Sequence, residues 1–261
     1  MIEMNVIISI FLFILGVCIG SFLNVCIYRI PRREPLIFSR SHCPKCGAKL
    51  KVIDNIPFIS FIFLGGKCRT CKNSISLQYP IVELLAGLVF LLSYWHFGWG
   101  WEFISKVVFL TMLIVISFID LEHRIIPDAI SLSGIIIGLG FSLLLKSITF
   151  WESLFGFLVG GVLLYLVALL GDFLFKKESM GGGDIKMAAM IGAFLGWQKF
   201  LLGLFIAVAL GAVIGIITII ISSKARKEKI IPFGPFLALG AAICVFWGEK
   251  LIEIYIRNFL P

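Results

Sequence analysis

Long apolar runs leave this chain few choices of fold. Stretches at about 5–27, 80–97, 103–120, 129–146, 152–175, 184–198, 200–222 and 231–248 are almost free of charge. A helix needs about 20 apolar residues to cross a bilayer, with a range near 17–25. Backbone groups in lipid must be satisfied within the chain, which a helix does and an irregular segment does not. A transmembrane barrel would show short alternating strands. The runs predict an all-α polytopic membrane protein with about eight transmembrane helices. Composition agrees, with 60% apolar and 15% charged residues, where a soluble domain carries about 25% charged. The sixth run is short and rich in small residues (Ala188, Ala189, Gly192, Ala193, Gly196), which suits close packing against neighbouring helices.

Charge sets an expected topology. Most of the 23 Lys and Arg residues fall in connections on one side: 29–72, Arg124, Lys176, Lys177 and Lys186, then Lys224–Lys229. That side should be cytoplasmic, with both termini outside. All six tryptophans (Trp95, Trp99, Trp101, Trp151, Trp197, Trp247) fall at the opposite boundary, as an aromatic belt does. The short sixth run must count as a crossing, or the 224–229 cluster would change sides. The net charge of +8 is accounted for by topology and anionic membrane lipids, so no nucleic-acid partner is expected. The first run is not read as a cleavable signal, because its basic residues follow it and no A-x-A-like site ends it.

The one large polar insert, about 29–79, carries Cys43-Pro44-Lys45-Cys46 and Cys68-Arg69-Thr70-Cys71. Two C-x2-C knuckles supply four thiolates to one tetrahedral zinc, with no open position for catalysis. A reducing compartment argues against structural disulfides. The alternatives are a redox pair or unligated thiols, and His42 is a competing ligand. Cys18, Cys26 and Cys244 read as buried small residues.

Two carboxylates end hydrophobic runs on the basic side: Asp120, and Asp184 after Gly181-Gly182-Gly183. Carboxylates at the membrane mark functional sites, and a pair sharing a proton is the minimum for aspartyl proteolysis. Singly, each could cap a helix end. The three glycines exceed what a turn needs and leave room for an extended peptide. A phosphate-cradling loop would need a different spacing. Lys186 reads as a contact for substrate carbonyls or lipid phosphates, and Asp128 as a carboxylate at a helix start. Helix ends suggest Asp184, at an N-terminus, as the ionised base and Asp120, at a C-terminus, as its neutral partner. His96 and His123 read as interfacial polar residues, and Pro232-Phe233-Gly234-Pro235 as a helix-start turn, with a structural role near the active face as the alternative.

Taken in order, these segments resemble the bacterial type IV prepilin peptidases, polytopic aspartyl proteases of the GxGD type. The resemblance rests on Asp120 with Ile126-Pro127-Asp128, and on Gly181-x-Gly183-Asp184-x-Lys186. Gly20-Ser21-Phe22-Leu23-Asn24-Val25, Tyr28-Arg29-Ile30-Pro31, both cysteine pairs, Asn55-Ile56-Pro57 and Ser76-x-x-Tyr79-Pro80-x-Val82-Glu83 extend it over about residues 15–235. It implies two activities at the inner membrane. The first is cleavage of the basic leader of prepilins or pseudopilins, with Asp120 and Asp184 catalytic and Gly181, Gly183 and Lys186 in the active-site loop. The second is N-methylation of the new N-terminus with S-adenosylmethionine as donor. Glu83 is the candidate for orienting the amine, unless it is only a carboxylate near a helix start. The expected organisation is a first helix (1–28), a cytoplasmic four-cysteine zinc insert linked to methyl transfer (29–79) and a peptidase bundle (80–261), serving a type IV pilus or a protein-secretion machine. The rivals are an ion transporter, which would place carboxylates at mid-membrane in repeated halves, and a zinc-bearing binding module without chemistry.

Overall fold

The structure, a computed structural model, describes residues 2–36, 43–49, 52–176, 180–221 and 232–259. His42 and the basic cluster 224–229 lie outside the described residues. Among those residues the chain is helical: α1 (Ile2–Arg29), a 3-10 turn (Val52–Asn55), α2 (Ile59–Phe63), α3 (Gln78–Phe97), α4 (Trp101–His123), α5 (Asp128–Ser142), α6 (Phe150–Phe175), α7 (Gly182–Ile221) and α8 (Gly234–Phe259). No strand forms among them; an isolated bridge pairs Lys67 with Ser74. The chain divides into two compact units, Met1–Phe103 and Ile104–Pro261.

The polytopic helical class stands, and the eight expected runs do not map one to one onto eight full-length helices. Among the described residues six helices are long and apolar enough to cross a membrane: α1, α3, α4, α6, α7 and α8. Three expected spans take other forms. The fourth is α5, only 15 residues long. The sixth and seventh are two limbs of α7, broken not by a loop but at Gly196, whose φ of 76° and ψ of 168° are open to glycine alone. The two limbs run in opposite senses. Gly211 of the second limb lies 3.6 Å, measured from an ideal Cβ, from the ring of Phe236, two residues into α8. Gly234, where α8 begins, bonds Asp120, which acts through space on Asp184 at the start of the first limb. A straight helix would hold Asp184 and Gly211 about 40 Å apart.

In the first unit α1 lies along α3 with the backbones nearly touching. A Cβ on Gly16 would stand 2.7 Å from the Ala86 carbonyl, and one on Gly20 would stand 2.6 Å from Glu83 Cα. This four-residue spacing of small residues draws membrane helices together. The buried Asn24 adds a bond from its amide to the Tyr79 carbonyl at 3.0 Å.

In the second unit the first limb of α7 is the core. Met187 to Leu195 are buried on every face, as an element apolar all round should be. Gly156 and Gly160 of α6 meet Gly192 and Ala188 backbone to backbone. Phe109 of α4 stacks on Phe194, with ring centroids 4.6 Å apart. Ser153, fully buried, donates to the Ala193 carbonyl at 2.5 Å. The second limb pairs with α8 where Gly203 faces Gly240. Small residues thus explain why so short a limb is stable: it is wrapped by α5, α6 and α4, not by lipid.

Candidate active site

Asp120 lies in the last turn of α4 and is 6% exposed. Its Oδ2 accepts a hydrogen bond from the backbone N–H of Gly234 at 3.0 Å. That N–H is free to donate because Gly234 opens α8, where the first N–H groups have no helical acceptor. Glycine is required there: a Cβ would lie 2.6 Å from Asp120 Oδ2. Asp184 lies in the first turn of α7. Its Oδ1 is buried without a hydrogen-bond partner among the described residues, and the Asp120 charge reaches it. Gly183 is held beneath the α4–α5 connection, where a Cβ would stand 2.7 Å from Ile126 Cβ. The chain thus brings Asp120, Asp184, Gly183 and Gly234 to one end of the second unit. Gly181 lies beside them, its ideal Cβ 3.7 Å from Asp184 Oδ2.

The assignment of base and acid from helix ends loses its basis here. Asp120 ends its own helix but faces the N-terminus of α8, and Asp184 stands at the N-terminus of α7. Both carboxyls therefore see a helix N-terminus, and helix ends do not separate them. Lys186 points to neither. Its Nζ pairs with Asp128 Oδ1 at 2.7 Å, fastening the start of α7 to the start of α5. Both partners are well exposed, so the pair contributes less than about 1 kcal/mol. Sequence reasoning singles out the Gly234 segment, with a structural role near the active face as one reading, but misses its bond to Asp120. A glycine between two prolines at a helix start was the available signal; its partner lies 114 positions away.

The cysteine knuckles lie in the first unit and repeat one geometry. In each, the residue after the second cysteine adopts a positive φ, 70° at Gly47 and 57° at Lys72, and donates its N–H back to the first cysteine's carbonyl, at 2.8 and 3.0 Å. The four Sγ atoms lie within 4.8 Å of one another, and Cys43 and Cys71 Sγ are 3.9 Å apart. A tetrahedron of zinc–thiolate bonds of about 2.3 Å separates its sulfurs by about 3.8 Å, so the cluster fits a metal of that size. The Asn73 backbone N–H, aided by its side-chain amide and by the Cys46 and Cys68 thiols, outweighs burial and lowers the Cys71 thiol to about 6. That favours the thiolate, the ligating form, at Cys71, whereas Cys46, despite the Ala48 backbone N–H, is pushed up to about 11 by burial and the neighbouring Cys43 and Cys71 thiols.

Glu83, also in the first unit, is the sixth residue of α3 rather than its cap, and is buried. Its Oε2 accepts the Phe58 N–H at 2.7 Å. Phe58 has a positive φ of 59°, so the carboxylate holds a strained turn of the insert against α3.

Comparison with known proteins places both units. Residues 14–97 match the family described as Bacterial Peptidase A24 N-terminal domain, and residues 107–216 the Type IV leader peptidase family. The chain is 39% identical to a Prepilin leader peptidase/N-methyltransferase of Myxococcus xanthus, over 83% of this chain and 65% of that protein. Relatives of the same name from Stutzerimonas stutzeri and Xanthomonas campestris are 34% and 37% identical, with 94% and 93% of this chain and 92% of each relative covered. No solved structure matches.

Proposed function

The chain belongs to the type IV leader peptidase family, and we propose that it clips the leader from prepilins or pseudopilins and methylates the new N-terminus. The observation that carries the peptidase half is the meeting of two carboxyls from separate helices at one end of the second unit, with glycines where a Cβ would strike Asp120 or Ile126.

Asp120 and Asp184 share a hydrolytic water. One carboxylate, ionised, takes a proton as the water oxygen attacks the scissile carbonyl. The other, protonated, hydrogen-bonds the carbonyl oxygen and stabilises the tetrahedral intermediate. The C–N bond then breaks and a proton passes to the leaving amine. Two carboxyls this close titrate as a pair. Gly181 leaves room beside Asp184 for an extended substrate backbone, and Gly183 lets the active-site loop pack under Ile126. Lys186, paired to Asp128, holds the loop in place instead of contacting lipid. The prepilin's apolar helix docks laterally on the spans.

Zinc, held by Cys43, Cys46, Cys68 and Cys71, is the structural metal of the 29–79 insert. When bound it supplies cross-linking and no chemistry, because all four positions are thiolates. The insert and Glu83 serve methyl transfer, for which S-adenosylmethionine is the donor; Glu83 orients the turn at Phe58 and the incoming amine. The aspartate end faces the cytoplasm of a bacterial inner membrane, with both termini outside. The test is incubation of the purified protein with a prepilin, with and without S-adenosylmethionine, read by mass spectrometry. A shortened product gaining one methyl group only with the donor is expected. A wild-type protein that leaves every prepilin intact would sink the reading.

A further inference from the structure

We propose that residues 53–66 of the cysteine insert form a re-entrant element that dips into the acyl region of the bilayer and returns to the same surface. The insert as a whole reads as polar, yet from Asn55 to Gly66 it carries no charge. Short α2 buries none of its residues. Ile53, Ile59, Ile62 and Phe63 are 65%, 51%, 61% and 86% exposed. In water such a continuous apolar face would be a liability.

Its depth follows from its neighbours. Ile56, Pro57, Phe58 and Ile59 share an apolar groove of about 250 Å³ with Phe13, Ile14, Val17 and Cys18 of α1 and Leu84 of α3. Cys18 lies eleven residues before Arg29, where α1 ends, which is about 16 Å along the helix axis. Half the hydrocarbon thickness is about 15 Å. The segment therefore lies beside the middle of α1, next to Ile14, itself 56% exposed.

The backbone is closed as lipid demands. The N–H groups of Ser60, Ile62 and Leu64 bond the carbonyls of Ile56, Phe58 and Ser60 at 3.1, 3.3 and 3.0 Å, and Gly65 and Gly66 return to Ile62 and Phe61 at 3.0 and 2.9 Å. The Phe58 N–H, at the strained entry, goes to Glu83. Gly65 and Gly66, both at positive φ, turn the chain back. At the mouth, Asp54 is met by Arg69 at 2.7 Å, so the segment's one acid is neutralised beside the cysteine knuckle. The occupant of the face is lipid acyl chain.

The test uses the full chain in phosphatidylethanolamine–phosphatidylglycerol vesicles, with a fluorescent coumarin amino acid replacing Phe63, Ile62 or, as the aqueous control, Lys45. We expect nitroxides on mid-chain acyl carbons to quench positions 62 and 63 several-fold more than iodide does, and the reverse at 45. Iodide quenching at 62 and 63 equal to that at 45 would overturn the proposal, as would protection of 62 and 63 from both quenchers, which means protein covers them. The readout is depth, not clipping, so it stands or falls separately from the peptidase reading.

Discussion

The two units hold their chemical groups in place by opposite means. In the second unit the carboxyls are positioned by packing: helices approach backbone to backbone through glycine, and an N–H at the start of α8 reaches Asp120. In the first unit the thiols are positioned by turns, two knuckles closed by residues at positive φ, with little apolar burial around them. Packing of that density tolerates no added atom, whereas knuckles of that kind depend on the metal that joins them. One site should fail when a methyl group is added, the other when an ion is removed.

Metal removal is the largest expected effect. Chelation, or Cys46→Ser with Cys71→Ser, removes about 10 kcal/mol of metal-linked order. The insert should become protease-sensitive and lose its zinc by elemental analysis, with methyl transfer lost and clipping retained. Clipping that disappears with the metal would break the contrast between the units. Next come Asp120→Asn and Asp184→Asn. Each should lower clipping by about 10³-fold or more while zinc content and methylation of a pre-clipped pilin persist.

Gly234→Ala sharpens the packing half of the comparison. Its methyl would intrude on Asp120, so clipping should fall by about 10–100-fold and stability by about 1–3 kcal/mol, read by thermal unfolding in detergent. Glu83 separates positioning from chemistry. Glu83→Ala orphans the Phe58 N–H at a cost of about 1–2 kcal/mol, visible as faster amide exchange there; Glu83→Gln keeps an acceptor. Methyl transfer rescued by glutamine marks a positioning role, and loss in both variants marks a role toward the amine. Asp128→Asn should be the mildest, under about 1 kcal/mol, with clipping nearly unchanged.

What the sequence reveals and what it hides follow one rule. The cysteine quartet is legible because each knuckle is four residues long, and the aspartates because each ends an apolar run beside its own glycines or proline. Gly234 is not legible as an active-site donor, since nothing near it in sequence points to Asp120. Glu83 reads as a helix-start carboxylate because its partner, Phe58, sits in a different segment. The break between the sixth and seventh runs is legible to within three residues: Lys199 interrupts the apolar run, while the chain itself reverses at Gly196 through a dihedral angle. The stretch at 53–66 merges with the polar insert because it is too short for a span and Pro57 divides it.

Gly196 has a consequence at long range. The first limb of α7 carries Asp184 at one end and this glycine at the other, about 18 Å away. Any side chain placed at Gly196 would press the joint toward a straighter path and carry Asp184 away from Asp120. An inactivating lesion would then arise beside Trp197, a dozen residues from Asp184, with every acid intact. The hydrolytic centre is in this sense a lever, with its fulcrum at the far end of the limb.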